Sequence, residues 1–153
     1  MIVAWRLSKT RYSTSAFDGE GARLNGGRWN SVGRRVAYAS ESVALAALEV
    51  LVGLQDARVL SSYSLIRIEF PDELAEELDR RRLPETWRRH PPLFETQRIG
   101  DLWVAEARTA VLKVPSAIVE VESNYLFNPN HPGFAEVTVR SAQPFCVEQR
   151  LIR

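Results

Sequence analysis

The chain has 153 residues, 45% hydrophobic and 25% charged, the size and composition of one globular domain, which excludes disordered, collagen-like and coiled-coil classes. Its 20 basic and 19 acidic residues leave a net charge of +1, so no global field draws in a polyanion. A single cysteine, Cys146, and two histidines, His90 and His131, exclude an intrachain disulfide and a Cys- or His-rich metal centre.

In chain order, residues 2–6 read as a strand, too short and too soon broken by Arg6 for a secretory segment. Residues 8–30, rich in Gly, Ser, Thr, Asn and Arg, read as a long polar loop, and a loop of that length in a compact domain is expected to bind something. A strand over 35–39 leads into a helix over 42–53 with Ser40 as N-cap. A strand over 64–70 follows. Pro71-Asp72 then opens a helix ending near Arg82, supported by Glu76/Arg80 and Glu77/Arg81 at i, i+4. Pro84, Pro91 and Pro92 mark irregular chain before a helix over 96–106, whose Ile99, Leu102 and Trp103 recur at helical spacing. Strands are expected over 110–114, 117–122, 135–140 and 145–152. The order lacks regular βαβ alternation, so the expected class is α+β, in a single domain over 1–153. No run of 18 apolar residues occurs, so a membrane span is not expected, and a reducing, cytoplasmic setting fits the cysteine count.

Three segments carry candidate chemistry. The helix over 42–53 places Glu49 on the same apolar face as Leu45, Leu48 and Val52, and a carboxylate facing a core is costly unless it is paired or lines a cleft. A structural pair with Arg28 or Arg34 is the alternative to a functional role. Upstream, Gly26-Gly-Arg-Trp-Asn flanks Arg28 with glycines that let backbone approach a phosphate, or is a plain glycine-rich turn between strands; it is neither a P-loop nor a dinucleotide turn. Tyr38, at the end of the next strand, is either delivered with Glu49 to one cleft or is a core or rim tyrosine. Downstream, Ser116, Asn124, Asn128 and His131 set hydrogen-bonding groups between two strands, or simply spell a turn. A Ser-His-Asp hydrolase lacks its GxSxG elbow here. Of the 20 basic residues only Lys9 and Lys113 are lysine. The arginine bias suits phosphate and carboxylate binding, and equally a GC-rich genome.

Together GGRWNSVGRRVAYASESVALAALEVL, VPSAIV and NYLFNPNHPGF resemble the RES domain, over nearly the whole chain, with Arg28, Glu49 and Ser116 in the places of its name-giving residues. The resemblance implies a fold similar to ADP-ribosyltransferases and a toxin of a bacterial toxin–antitoxin pair. It would deplete NAD by splitting the nicotinamide–ribose bond, with water or inorganic phosphate as acceptor and no metal. It also implies a Xre/Cro-type helix-turn-helix antitoxin that joins the toxin in a hetero-oligomer and blocks its active site, with no DNA binding by this chain itself. On that basis Arg28, with Arg6, would bind the pyrophosphate, and Tyr38 would stack on nicotinamide. Glu49 would hold the ribose and stabilise the cation, and Ser116, Asn128 and His131 would position ribose or acceptor. Transfer of ADP-ribose to a protein or other macromolecule is the alternative. A nucleic-acid module built on Arg80, Arg81, Arg82, Arg88 and Arg89 is a further one, which the near-neutral net charge disfavours.

Overall fold

The structure, a computed structural model, describes residues 1–153. Strand β1 (Ile2–Lys9) and β3 (Tyr63–Phe70) form its longest ladder, antiparallel from Ile2↔Phe70 to Lys9↔Tyr63. Strand β2 (Ala37–Ser40) pairs with β6 (Ser123–Phe127), β6 with β5 (Val111–Pro115), and β5 in parallel with β4 (Ala75–Glu77). The short strands β7 (Thr138–Val139) and β8 (Gln143–Pro144) both dock on β3. The sheet runs β4-β5-β6-β2-β1-β3-β7. Its two halves meet where β1 and β2 share one pair, Trp5↔Ser40, and the sheet forks there.

Alternation along each strand sorts the side chains to two faces. On one face Ala4, Ile66, Ile68, Phe70, Ala37, Ala39, Tyr125 and Phe127 pack with Phe17. The rings of Phe17 and Phe70 both meet Phe127 edge-on, at 5.5 and 5.4 Å. The opposite face has two separate covers. Helix α3 (Phe94–Glu106) lays Ile99 and Trp103 on Leu112, Val114 and Leu126. Helix α2 (Val43–Leu51) lays Ala46, Val50 and Leu51 against Leu7 and Leu60. Tyr38 packs with the first group and Trp5, the partner of Ser40, with the second. The divide between the covers therefore falls on β2 and β6, at Tyr38, Ser40 and Asn124.

The α+β class is as expected, and several elements are corrected. The 72–82 helix does not form: two 3-10 turns, Asp72–Leu74 and Arg80–Arg82, flank β4. The ladder with β5 outcompetes helical propensity there, and the expected pairs give way to Glu76–Arg108 and Asp79–Arg81. Residues 117–122 are a loop because the Ser116 hydroxyl takes the Ile118 and Val119 N–H groups that a ladder would need. The strand lies one step later, at β6, within what read as a turn. The 8–30 loop contains a 3-10 turn at Thr10–Ser15 and helix α1 (Glu20–Asn25). Only Thr138–Val139 of 135–140 and none of 145–152 is strand. Finally, Ser42 and not Ser40 caps α2, accepting from Leu45 N–H at 3.0 Å.

Candidate active site

The segment from Gly26 to Ser31 is a tight turn closed by Gly27 N–H on the Asn30 carbonyl at 2.9 Å. Asn30 is fully buried and is the hub of this turn. Its amide donates to the Ala22, Ser31 and Arg34 carbonyls, and its Oδ1 accepts the Tyr38 hydroxyl. Gly27 lies directly over that bond, where a Cβ would come within 2.9 Å of both Asn30 Oδ1 and Tyr38 Oη. From behind, α3 fixes the turn: Gln97 Nε2 donates to the Gly27 carbonyl at 3.0 Å. Asp101 accepts from Ser31 N–H at 3.0 Å and Ser31 Oγ at 2.6 Å. Between them Gly100 meets the Trp29 carbonyl so closely that a Cβ would sit 1.6 Å from its oxygen.

This scaffold presents Arg28. Its NH1 donates to the Trp87 and Arg89 carbonyls at 2.7 and 2.8 Å, and the rest of the guanidinium makes no bond to the chain. Burial lowers its pKa, and the negative charge of Glu49 works in the opposite direction.

Glu49 sits on the inward side of α2 beside Leu45, Ala46 and Val50, while Leu48 and Val52 face solvent. The Ser116 hydroxyl and the Asn124 amide both donate to Glu49 Oε1, each at 2.7 Å, which leaves Oε2 without a protein donor. Asn124 is itself oriented by Ser40 Oγ, which donates to its Oδ1 at 2.7 Å. Ser116 is completely buried, its hydroxyl turned onto Glu49 and accepting from Ile118 and Val119 N–H at 3.0 Å. A carboxylate with one oxygen clamped and the other open can bind a hydroxyl or face a developing cation.

Tyr38 is held by its hydroxyl on Asn30, and burial pushes its pKa well above the usual phenol range, so it stays neutral. Arg6 occupies the fork in the sheet. Its NH1 donates to the Tyr38 carbonyl at 2.7 Å, Phe17 lies 5.5 Å from the guanidinium carbon, and its Nε is buried without a partner. Desolvation lowers the Arg6 pKa.

Asn128 and His131 lie elsewhere. Asn128 follows the far end of β6, four residues from Asn124 and so about 13 Å along the strand. Its Oδ1 accepts from Asn130 N–H. His131 Nδ1 accepts from Gly133 N–H, so its Nε2–H donates to the Ala107 carbonyl, and both nitrogens serve the turn. No group of three His, Cys, Asp or Glu side chains gathers as a metal site. Sequence reasoning missed Asn30 and the α3 supports. A signal for the latter existed: Gln97, Gly100 and Asp101 fall at i, i+3, i+4, and a glycine inside a polar helix face marks a close backbone approach.

The RES domain family description matches residues 3–148. A Toxin Res of Photorhabdus laumondii is 36% identical over 99% of this chain and 98% of its own length. A Toxin Res of Yersinia enterocolitica is 38% identical over 98% of this chain and 99% of its own. A Sphingobium relative described as Prs ADP-ribosylating toxin is 37% identical over 97% and 96%. In three dimensions the chain superposes on the Mycobacterium tuberculosis MbcT-MbcA toxin-antitoxin complex with a TM-score of 0.76, 20% identity, and coverage of 98% of this chain and 88% of the other. That likeness bears on the fold alone, which is of the expected α+β class. With the matched span running from β1 to beyond β8, and Arg28, Glu49 and Ser116 inside it, the chain belongs to the RES domain family.

Proposed function

We propose that this chain, as a single domain, is the toxin of a toxin–antitoxin pair and splits the nicotinamide–ribose bond of NAD in the cleft at Glu49. The observation that carries this reading is the clamped carboxylate, with Oε1 held by Ser116 and Asn124 and Oε2 open. When the ribosyl C–N bond breaks, its electron pair leaves with neutral nicotinamide and the sugar takes on oxocarbenium character. Glu49 holds the ribose hydroxyl through Oε2 and stabilises that charge, a contribution of several kcal/mol for a preorganised group (~3 kcal/mol). An oxygen of inorganic phosphate or water then bonds to the ribosyl carbon that nicotinamide has left, and the proton of the attacking group passes to solvent.

Arg28 takes the diphosphate with the part of its guanidinium left free by the Trp87 and Arg89 carbonyls. Tyr38 stacks its tethered ring on nicotinamide, and Arg6, expected beside Arg28 on the pyrophosphate, instead steadies Tyr38 from the fork, because its NH1 is spent on the Tyr38 carbonyl and its Nε is buried. Ser116 and Asn124 are positioning residues that act through Glu49. Asn128 and His131 hold the turn after β6 and stand outside this mechanism.

The name of the Sphingobium relative favours a second reading, transfer of ADP-ribose to a macromolecule, which uses the same residues with another acceptor. The partner in either reading is an antitoxin, in line with the toxin-antitoxin complex in which the M. tuberculosis neighbour was solved, and the family resemblance points to the Xre/Cro type. The setting is the cytoplasm, where NAD is made and used, and no helix is long and apolar enough to cross a membrane.

The test is NAD consumption by purified protein with and without inorganic phosphate, with Glu49→Gln alongside. Nicotinamide with ADP-ribose reports hydrolysis, and ADP-ribose 1″-phosphate formed only with phosphate reports phosphorolysis. Loss of either in Glu49→Gln is expected. Intact NAD after incubation with folded wild type, under both conditions, overturns the cleavage reading and leaves transfer to an absent acceptor.

A further inference from the structure

The side chains of the arginines at 80–82 and 88–89 have no part in the mechanism so far, yet the segment carrying them is fastened to the turn that holds Arg28. Trp87 is buried and stacks at a tilt on Trp29, with ring centroids 6.3 Å apart. Arg28 grips the same segment through the Trp87 and Arg89 carbonyls. With Trp87 turned inward, Arg88 crosses to the loop that follows Ser116. Its Nε donates to the Ala117 carbonyl at 3.1 Å and its NH1 pairs with Glu120 at 3.1 Å. Arg80 adds a bond from NH2 to the Glu120 carbonyl at 3.0 Å. Arg88 thus bridges the two walls that carry Arg28 and Ser116, next in sequence to both anchors. Its positive charge is felt at Arg28, where it disfavours the protonated form.

Arg28 is bonded to the carbonyls on either side of Arg88, and two like charges carried on one segment have a use when an anion lies between them. The Arg88–Glu120 pair is about half exposed on both sides, the kind of ion pair that solvent screens to little net strength. A phosphate group offers more acceptor oxygens and a better match to a guanidinium fork than a single carboxylate oxygen. We propose that Arg88 is a second phosphate-binding residue of this cleft, held by Glu120 in the free protein and handed to a phosphate group captured by Arg28. This rests on the NAD reading of the same cleft. The shared ligand chemistry is a phosphate, either in the diphosphate of the dinucleotide or as the free inorganic acceptor.

Binding of ADP-ribose, inorganic phosphate and adenosine is measured by calorimetry on wild type, Arg88→Ala and Glu120→Gln. Arg88→Ala weakens a phosphate-bearing ligand about tenfold, the loss of one charge-assisted hydrogen bond. Adenosine binding does not change. Glu120→Gln, which removes the competitor and keeps the fold, tightens the same ligand. Weakening confined to ADP-ribose assigns Arg88 to the diphosphate, and weakening confined to inorganic phosphate assigns it to the acceptor. Unchanged affinity for both anions in Arg88→Ala, or weaker binding in Glu120→Gln, overturns the proposal. These affinities do not depend on turnover, so failure of NAD cleavage in the wild type is a separate result.

Discussion

The Ser116 hydroxyl gives its only proton to Glu49 while its oxygen accepts two backbone N–H groups, so Ser116 is a fully committed link between the 117–122 loop and the carboxylate on α2. Asn124 reaches the same Glu49 oxygen from β6. Ser116→Ala removes one donor to Glu49 and takes the acceptor from the half-buried Ile118 and Val119 N–H groups, at a cost of ~1 kcal/mol in stability. Loss of carboxylate orientation lowers kcat about a hundredfold, with a smaller change in KM. Because both side chains act through Oε1, Ser116→Ala with Asn124→Ala is expected to lose less activity than the two single effects combined. Full additivity in NAD turnover rules out a shared role.

Tyr38 separates ring from hydroxyl. The hydroxyl is neutral and spent on Asn30, so Tyr38→Phe keeps the stacking surface and orphans the buried Asn30 Oδ1. The expected outcome is a loss of ~1–3 kcal/mol in denaturant unfolding with turnover within a few-fold of wild type. Tyr38→Ala, which removes the ring, is expected to lose most activity. An inactive but stable Tyr38→Phe would instead give the hydroxyl a chemical task.

Gly100 carries a prediction whose sign reverses the usual one. Inside a helix, Gly→Ala ordinarily gains about 0.5–1 kcal/mol. At Gly100 the new methyl falls 1.6 Å from the Trp29 carbonyl oxygen, so α3 and the turn holding Arg28 must move apart. Overpacking of that kind costs ~1–3 kcal/mol and exceeds the helical gain. Gly21→Ala, in α1 with nothing within 4 Å of the added Cβ, is the control and is expected to stabilise. Thermal melts and NAD kinetics of the two variants check this, Gly100→Ala losing both stability and turnover. Equal stabilisation of both sinks the argument.

The legible parts of this molecule were those set by local pattern. Short apolar runs read as β1, β3 and β5, helical spacing marks α2 and α3, and a carboxylate on the apolar face beside Leu45 singles out Glu49. What escaped was set by distant partners. The Glu76/Arg80 spacing looks helical, but Arg108, 32 residues away from Glu76, takes that carboxylate once β4 joins β5. The polar Asn124 reads as turn, yet it sits in a central strand because its amide and carbonyl are matched by Glu49 and Ser40. The arginine-rich stretch gives no hint that backbone carbonyls within it anchor Arg28.

Acid sensitivity is expected at the edge of the sheet. Arg140 and Arg67 hold both oxygens of Glu69, at 2.7 and 2.8 Å, and keep its pKa below the usual carboxylate range. A carboxylate with a depressed folded pKa stabilises above its unfolded pKa of about 4.3, and that contribution fades as pH falls through the lower folded value. Glu20, Asp56, Asp72, Asp79 and Glu148 are shifted the same way by their own cationic partners. The melting temperature therefore holds from neutral pH to about pH 5 and drops below about pH 4. Glu69→Gln lowers it near neutrality, by loosening Arg140 and the β7 edge that pairs with β3. The gap between Glu69→Gln and wild type closes at low pH, where both side chains are neutral. Melts recorded in low salt between pH 3 and 7 check this, and a gap independent of pH would show that the two ion pairs contribute nothing to the fold.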